Sequence, residues 1–143
     1  MKLKIYTDGG SLNNPGEAAI AYVIYLNDEC VLKFSKRIGV ATNNFAEYTA
    51  LIEALTAAKD FIKKYPIKSI NVFSDSQLMV SQLCGLYKIK NSSIRDLIMN
   101  IRVLEGEINL PIVYAHILRE KNQIADSLVK LAFKSKYQIS NDK

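Results

Sequence analysis

The chain has 143 residues, 49% hydrophobic and 23% charged, with 19 Lys and Arg against 14 Asp and Glu for a net charge of +5. One domain of that length can bury a core, and no stretch approaches the roughly 20 apolar residues of a membrane span, so no membrane partner is expected. The positive excess suits a polyanionic partner, although a solvated, lysine-rich surface accounts for it equally well.

In chain order, residues 2–7 alternate, with Leu3 and Ile5 pointing one way and Lys2, Lys4 and Tyr6 the other, as in a strand covered on one face. Gly9 to Gly16 is dense in turn formers and predicts a loop. Residues 18–26 and 31–38 read as two more strands, joined tightly at Asn27-Asp28-Glu29. From a cap at Asn44, Tyr48, Leu51, Leu55, Ala58 and Ile62 recur at helical spacing until Pro66. A short strand at Ile70–Phe73 follows, then helices over about 76–83 and 93–105, a strand over 111–117, and a last helix. That helix starts near a cap at Asn122, with Ile124, Leu128 and Leu131 predicted inward.

The pattern predicts an α/β domain over residues 1–134. Its five-stranded mixed sheet has three antiparallel strands plus two parallel ones and is flanked by helices. Residues 135–143 read as a basic, flexible tail. The N-terminus enters a strand directly, without a signal-peptide pattern. Cys30 and Cys84 are too isolated for a disulfide framework and are expected as buried thiols in a reducing cytoplasm.

Four carboxylates stand out by position. Asp8 and Asp75 each end a strand-like run, Glu47 lies one turn into the first helix, and Asp126 lies early in the last. Each alone reads equally as a turn residue, a cap or an exposed helix acid. Their neighbours weigh against that, because Gly9-Gly10 permits close backbone approach and Thr42-Asn43-Asn44 and Ser76-Gln77 are polar without a packing reason. Converging carboxylates are hard oxygen ligands for divalent cations, and a pair of such ions can serve phosphoryl transfer.

With these motifs together, Tyr-Thr-Asp8-Gly-Gly with Asn14-Pro-Gly, Thr42-Asn-Asn-Phe-Ala-Glu47-Tyr, Ser-Asp75-Ser-Gln, and His116 followed by Arg-Glu-Lys-Asn122-Gln-Ile-Ala-Asp126, the chain resembles a type 1 ribonuclease H from Lys2 to about Ala132. The resemblance implies a ribonuclease H-like fold and hydrolysis of the RNA strand of RNA–DNA hybrids, leaving 5′-phosphate and 3′-hydroxyl ends. It implies that Asp8, Glu47, Asp75 and Asp126 hold two Mg²⁺ ions, with Mn²⁺ able to substitute and Asp8 bridging. One ion activates a water and the other steadies the departing 3′ oxygen. His116, the single histidine, matches the family's loop histidine in proton transfer or product release.

By the same resemblance Asn14, Asn43 and Gln77 contact the RNA strand in the minor groove, Asn44 meets the DNA strand, and Thr42 meets a DNA phosphate. Two departures stand beside this. Val40 occupies a position where some relatives place a phosphate-binding arginine, leaving Arg37 as a substitute. The basic handle of many bacterial relatives is reduced to residues 86–91, so grip falls to Lys88, Lys90, Arg95, Lys134 and Lys136. Some handle-less relatives also cut double-stranded RNA. Haloacid-dehalogenase-type phosphatases are disfavoured because Gly10 stands where they need a second aspartate. Actin-like ATPases need two domains. A non-catalytic nucleic-acid-binding module on the same fold is the alternative that metal dependence would separate. A monomer acting on one duplex is expected.

Overall fold

The computed structural model describes residues 1–86 and 88–134, and the backbone of 139–141. Three strands come first, β1 (Lys2–Ser11), β2 (Gly16–Leu26) and β3 (Glu29–Ala41), followed by helix α1 (Asn43–Lys64). Then come β4 (Ser69–Ser74), α2 (Gln77–Leu83), α3 (Ser92–Ile108), β5 (Ile112–His116), a 3₁₀ turn at Arg119–Lys121, α4 (Gln123–Lys134) and a short β6 (Ile139–Asn141). The sheet order is β5-β4-β1-β2-β3-β6. β1 pairs antiparallel with β2 and parallel with β4, so the expected mixed sheet is present. Its outer pairs are β2–β3, antiparallel, and β4–β5, parallel. Beyond the five expected strands, β6 pairs antiparallel with Lys33–Ser35 of β3. It falls in the stretch read as a tail, whose remainder, Lys136 included, lies outside the described residues.

Period-two alternation sends the two faces of β2 to different helices. Ile24 and Tyr22 join Leu3, Ile5, Ile70 and Val72 in the main core, beneath Tyr48, Leu51, Ala54, Leu55 and Ala58 of α1 and Ile94, Ile98 and Ile101 of α3. Each large aliphatic side chain fully buried there contributes about 1.5–3 kcal/mol. Ala19 and Ala21, on the other face, meet Val129 and Ala132 of α4. Asn27 takes the left-handed φ of 55° that the tight β2–β3 turn requires, a conformation Asn tolerates. Asn109 does the same at the end of α3, with φ 54°.

Four local expectations are corrected. β1 does not stop at Asp8, since Gly9 pairs with Ile20, Gly10 with Ala19 and Ser11 with Ala18. The cap of α1 is Thr42 rather than Asn44, its side chain accepting from the Phe45 N–H at 3.1 Å. In α4 the buried residues are Ala125, Val129 and Ala132, whereas Ile124 and Leu131 are each 45% exposed. Leu128, also expected inward, does pack partly buried against Ala19, Ala21, Val129 and Ala132. Cys30 and Cys84 are exposed, not buried.

Candidate active site

The site lies where the sheet changes from antiparallel to parallel pairing. Thr7 of β1 stands opposite Ser74 of β4, so Asp8 and Asp75 follow at the same level on adjacent strands. Glycine at position 9 brings in the third acid. A Cβ there would lie 2.5 Å from the carbonyl carbon and oxygen of Ala46 and 2.8 Å from the Glu47 nitrogen, so only glycine lets α1 come this close. The turn presenting Asp75 is held by the Ser76 N–H donating to Ser74 Oγ at 3.0 Å and by Ser76 Oγ accepting from the Met79 N–H at 3.2 Å.

One carboxylate oxygen from each of Asp8, Glu47 and Asp75 lies within 4.8 Å of the others. Asp8 and Glu47 are 6% and 8% exposed, and the Asp75 side chain 7%. Burial, then the charges of Asp75 and Asp126, push the Asp8 carboxyl from 3.8 up to about 7, while the Gly9 N–H and Arg119 partly offset this. Burial, then Asp8 and Asp75, raise Glu47 well above its ordinary value. Asp75 is raised mainly by burial, against the opposing effects of Arg119, the Asn122 amide and His116. Glu47 Oε1 and Asp75 Oδ2 are buried without a hydrogen-bond partner among the described residues. Unpartnered buried carboxylate oxygens are costly, and three of these groups cannot all ionise together cheaply. A divalent cation with oxygen ligands would resolve both problems, so the residues fit a metal site.

Asp126 stands apart from this tight group. It sits in the first turn of α4, close enough for its charge to raise Asp8, while Lys130 Nζ lies 3.0 Å from its Oδ2. Asn122 anchors the start of α4, because its buried Nδ2 donates to the carbonyl of Thr7, the residue before Asp8, at 2.9 Å. Its backbone carbonyl also accepts from the Asp126 N–H at 3.1 Å. His116 ends β5 opposite Ser74, exposed at the rim, where its charge acts on Asp75.

Of the polar residues expected at the substrate face, Asn14, Thr42, Asn43 and Asn44 are brought together. Asn43 Oδ1 accepts from the Ser11 N–H at 2.7 Å, and the Asn43 N–H donates to Asn14 Oδ1 at 3.0 Å, tying the 12–15 turn to α1. Asn14, Thr42 and Asn44 line one shallow depression with Gln82 and Asn91. Gln77 is exposed in the first turn of α2. Val40 is 74% exposed at the end of β3. A larger depression between α1 and the β2–β3 hairpin, lined by Tyr22, Glu53 and Asp60 among others, holds none of the four acids.

Two charged neighbours were not singled out at the carboxylates from sequence. Arg119 Nε lies 3.9 Å from Asp75 Oδ2, a proximity created by the 3₁₀ turn that no spacing rule announces. Lys130 was legible as the residue four beyond Asp126 on a helix.

The RNase H family model matches residues 1–134. The chain belongs to the RNase H family. It is 38% identical over 133 residues to ribonuclease HI of Halobacterium salinarum, a match covering 92% of this chain and 64% of that protein. A bifunctional protein of Mycobacterium tuberculosis is 38% identical over 130 residues, covering 90% of this chain, which spans 34% of that relative's length. Among solved structures, that of LC11-RNase H1 in complex with RNA/DNA hybrid matches with a TM-score of 0.87 at 39% identity, covering 92% of this chain and 96% of that one. The RNase H1 of Halobacterium salinarum matches at 0.85 and 36%, covering 94% and 98%. The sheet and its four helices are thus an RNase H fold, and the acids described above lie within the matched span. No described helix is long and apolar enough to cross a membrane.

Proposed function

We propose that residues 1–134 are the catalytic domain of a ribonuclease H that hydrolyses the RNA strand of RNA–DNA hybrids, leaving 5′-phosphate and 3′-hydroxyl ends. The observation that carries this is the triad of buried carboxylates within 4.8 Å of one another, two of whose oxygens have no hydrogen-bond partner among the described residues. Two divalent ions, Mg²⁺ with Mn²⁺ able to replace it, would supply an activated water and stabilise the departing oxygen when bound. Asp8, Glu47, Asp75 and Asp126 would hold them. Asp8 is central to the set, its carboxyl interacting electrostatically with each of the other three.

His116 serves proton transfer or product release from the rim, a task that suits an exposed imidazole. Asn14, Thr42, Asn43, Asn44 and Gln77 hold the duplex by its shape and backbone, Asn14, Asn43 and Gln77 toward the RNA strand and Asn44 and Thr42 toward the DNA. Amides that donate and accept at once suit contacts with 2′-hydroxyls and base edges. Two exposed free cysteines suit a reducing compartment such as the cytoplasm, and one chain suffices for one duplex.

The test is cleavage of an end-labelled hybrid and of double-stranded RNA, side by side, in Mg²⁺, Mn²⁺ and EDTA. Metal-dependent cutting of the RNA strand with 3′-hydroxyl products is expected, and the second duplex reports whether the handle-less form is promiscuous. Hybrid binding with no cutting in any metal would leave a binding module instead.

A further inference from the structure

The four acids are unequal. Three form a tight, buried group, and the fourth, Asp126, is partnered by a cation of the chain itself: Lys130 Nζ stands 3.0 Å from Asp126 Oδ2. The pair spans one turn of α4, and that turn is fixed. Ala125 and Val129, each the residue before one of the pair, are buried against the sheet, and Asn122 ties the start of the helix to the Thr7 carbonyl. The helix therefore cannot turn Asp126 away from the sheet, and Lys130, one turn on, stays within reach of it. The lysine can leave, because its side chain is 69% exposed while that of Asp126 is 20% exposed. Within the tight group Glu47 Oε1 has no hydrogen-bond partner among the described residues, and the cation that approaches the group, Arg119 Nε, stands 3.9 Å from Asp75 Oδ2, farther than Lys130 from Asp126.

We infer that Lys130 is a built-in competitor for the cation at Asp126, so that the site fills in two unequal steps. A divalent ion enters the Asp8–Glu47–Asp75 group first, and a second reaches Asp126 only by displacing the lysine ammonium. This rests on the proposed reading of the four acids as metal ligands. Lys130 is a positioning residue here, acting on the ion through Asp126. An exposed ion pair of this kind is weak, so the competition is modest: its loss is worth about a two- to five-fold gain in affinity. The effect should also shrink as salt screens it.

The experiment titrates the full chain with Mn²⁺, following free Mn²⁺ by electron paramagnetic resonance. The Mg²⁺ dependence of hybrid cleavage is measured in parallel on wild type, Lys130→Gln, Lys130→Arg and Asp126→Asn. The inference predicts that Lys130→Gln tightens the weaker step about two- to five-fold and lowers the Mg²⁺ concentration for half-maximal cleavage by the same factor. Lys130→Arg should stay at the wild-type values, and the difference should fade at high salt. If Lys130 only staples α4, Lys130→Gln lowers thermal stability and leaves both metal dependences unchanged, and that result overturns the inference. Asp126→Asn separates the two layers. Weaker metal binding in Asp126→Asn beside an unchanged Lys130→Gln sinks the competition alone, whereas no effect of Asp126→Asn sinks the ligand role of Asp126 and the inference with it.

Discussion

Removing the charge at Asp8 should make the metal-free protein more stable. Its carboxyl is raised from 3.8 to about 7 in the fold, so the folded state holds that proton more tightly than the unfolded chain does. The stability this provides is fully present below about pH 4 and is lost as pH rises through about 7. Roughly three pKa units at about 1.4 kcal/mol each set a ceiling near 4 kcal/mol on the loss by pH 8. Glu47 and Asp75 share the same repulsion, so replacing Asp8 also relieves them, and a gain of about 2–4 kcal/mol is expected for Asp8→Asn at pH 8. Urea unfolding in EDTA at pH 4 and pH 8 measures it. The gap should close to under about 1 kcal/mol at pH 4. Mg²⁺ at a hundred-fold excess over Kd should then add about 2.7 kcal/mol to the wild type at pH 8 and so offset most of the variant's advantage. An Asp8→Asn protein no more stable than wild type at pH 8, or equally advantaged at both pH values, would refute the electrostatic account.

Three further outcomes follow from packing. Gly9→Ala forces a methyl into the Ala46 carbonyl and should cost about 1–3 kcal/mol in urea unfolding, and it should weaken Mg²⁺ binding by moving Glu47 off Asp8. Asn122→Ala strands the Thr7 carbonyl and should cost about 1–3 kcal/mol; an unchanged melting temperature would remove Asn122 as the anchor of α4. Ile124→Ser, on the exposed side of α4, should stay within about 0.5 kcal/mol of wild type, and a large loss would mean that the other face of the helix is the buried one.

The elements were legible wherever a long periodic run met a clear stop. The stripe from Tyr48 to Ala58 is the buried face of α1, and Pro66 follows the end of that helix. What failed had physical causes that a linear reading cannot see. Gly9 and Gly10 look like loop residues, yet they continue β1, where α1 packs into the space of the side chain that Gly9 lacks. In α4 the large Ile124 and Leu131 drew the prediction, whereas Val129 and Ala132, with Leu128 and Phe133 beside them, are what meet Ala19 and Ala21 of β2. Thr42 outcompetes Asn44 as the cap, while the Asn43 side chain serves the Ser11 backbone.

The three tight acids could be named from strand ends and motif order. Their unequal environments could not, because burial, the reach of Arg119 and the pairing of Lys130 with Asp126 depend on how the elements meet. Strand β6 was missed because residues 139–141 carry too little pattern to announce a three-residue edge pairing.

The central claim is that the carboxylate group performs chemistry rather than merely binding. Its most direct test is single-turnover cleavage of an RNA–DNA hybrid, with hybrid affinity measured in parallel, for wild type and Asp75→Asn in Mg²⁺ and in EDTA. The account predicts rapid cutting of the RNA strand by wild type in Mg²⁺ alone. Asp75→Asn should still bind the hybrid but lose cleavage by orders of magnitude. Cutting that persists in EDTA, or that Asp75→Asn performs at the wild-type rate, would contradict it.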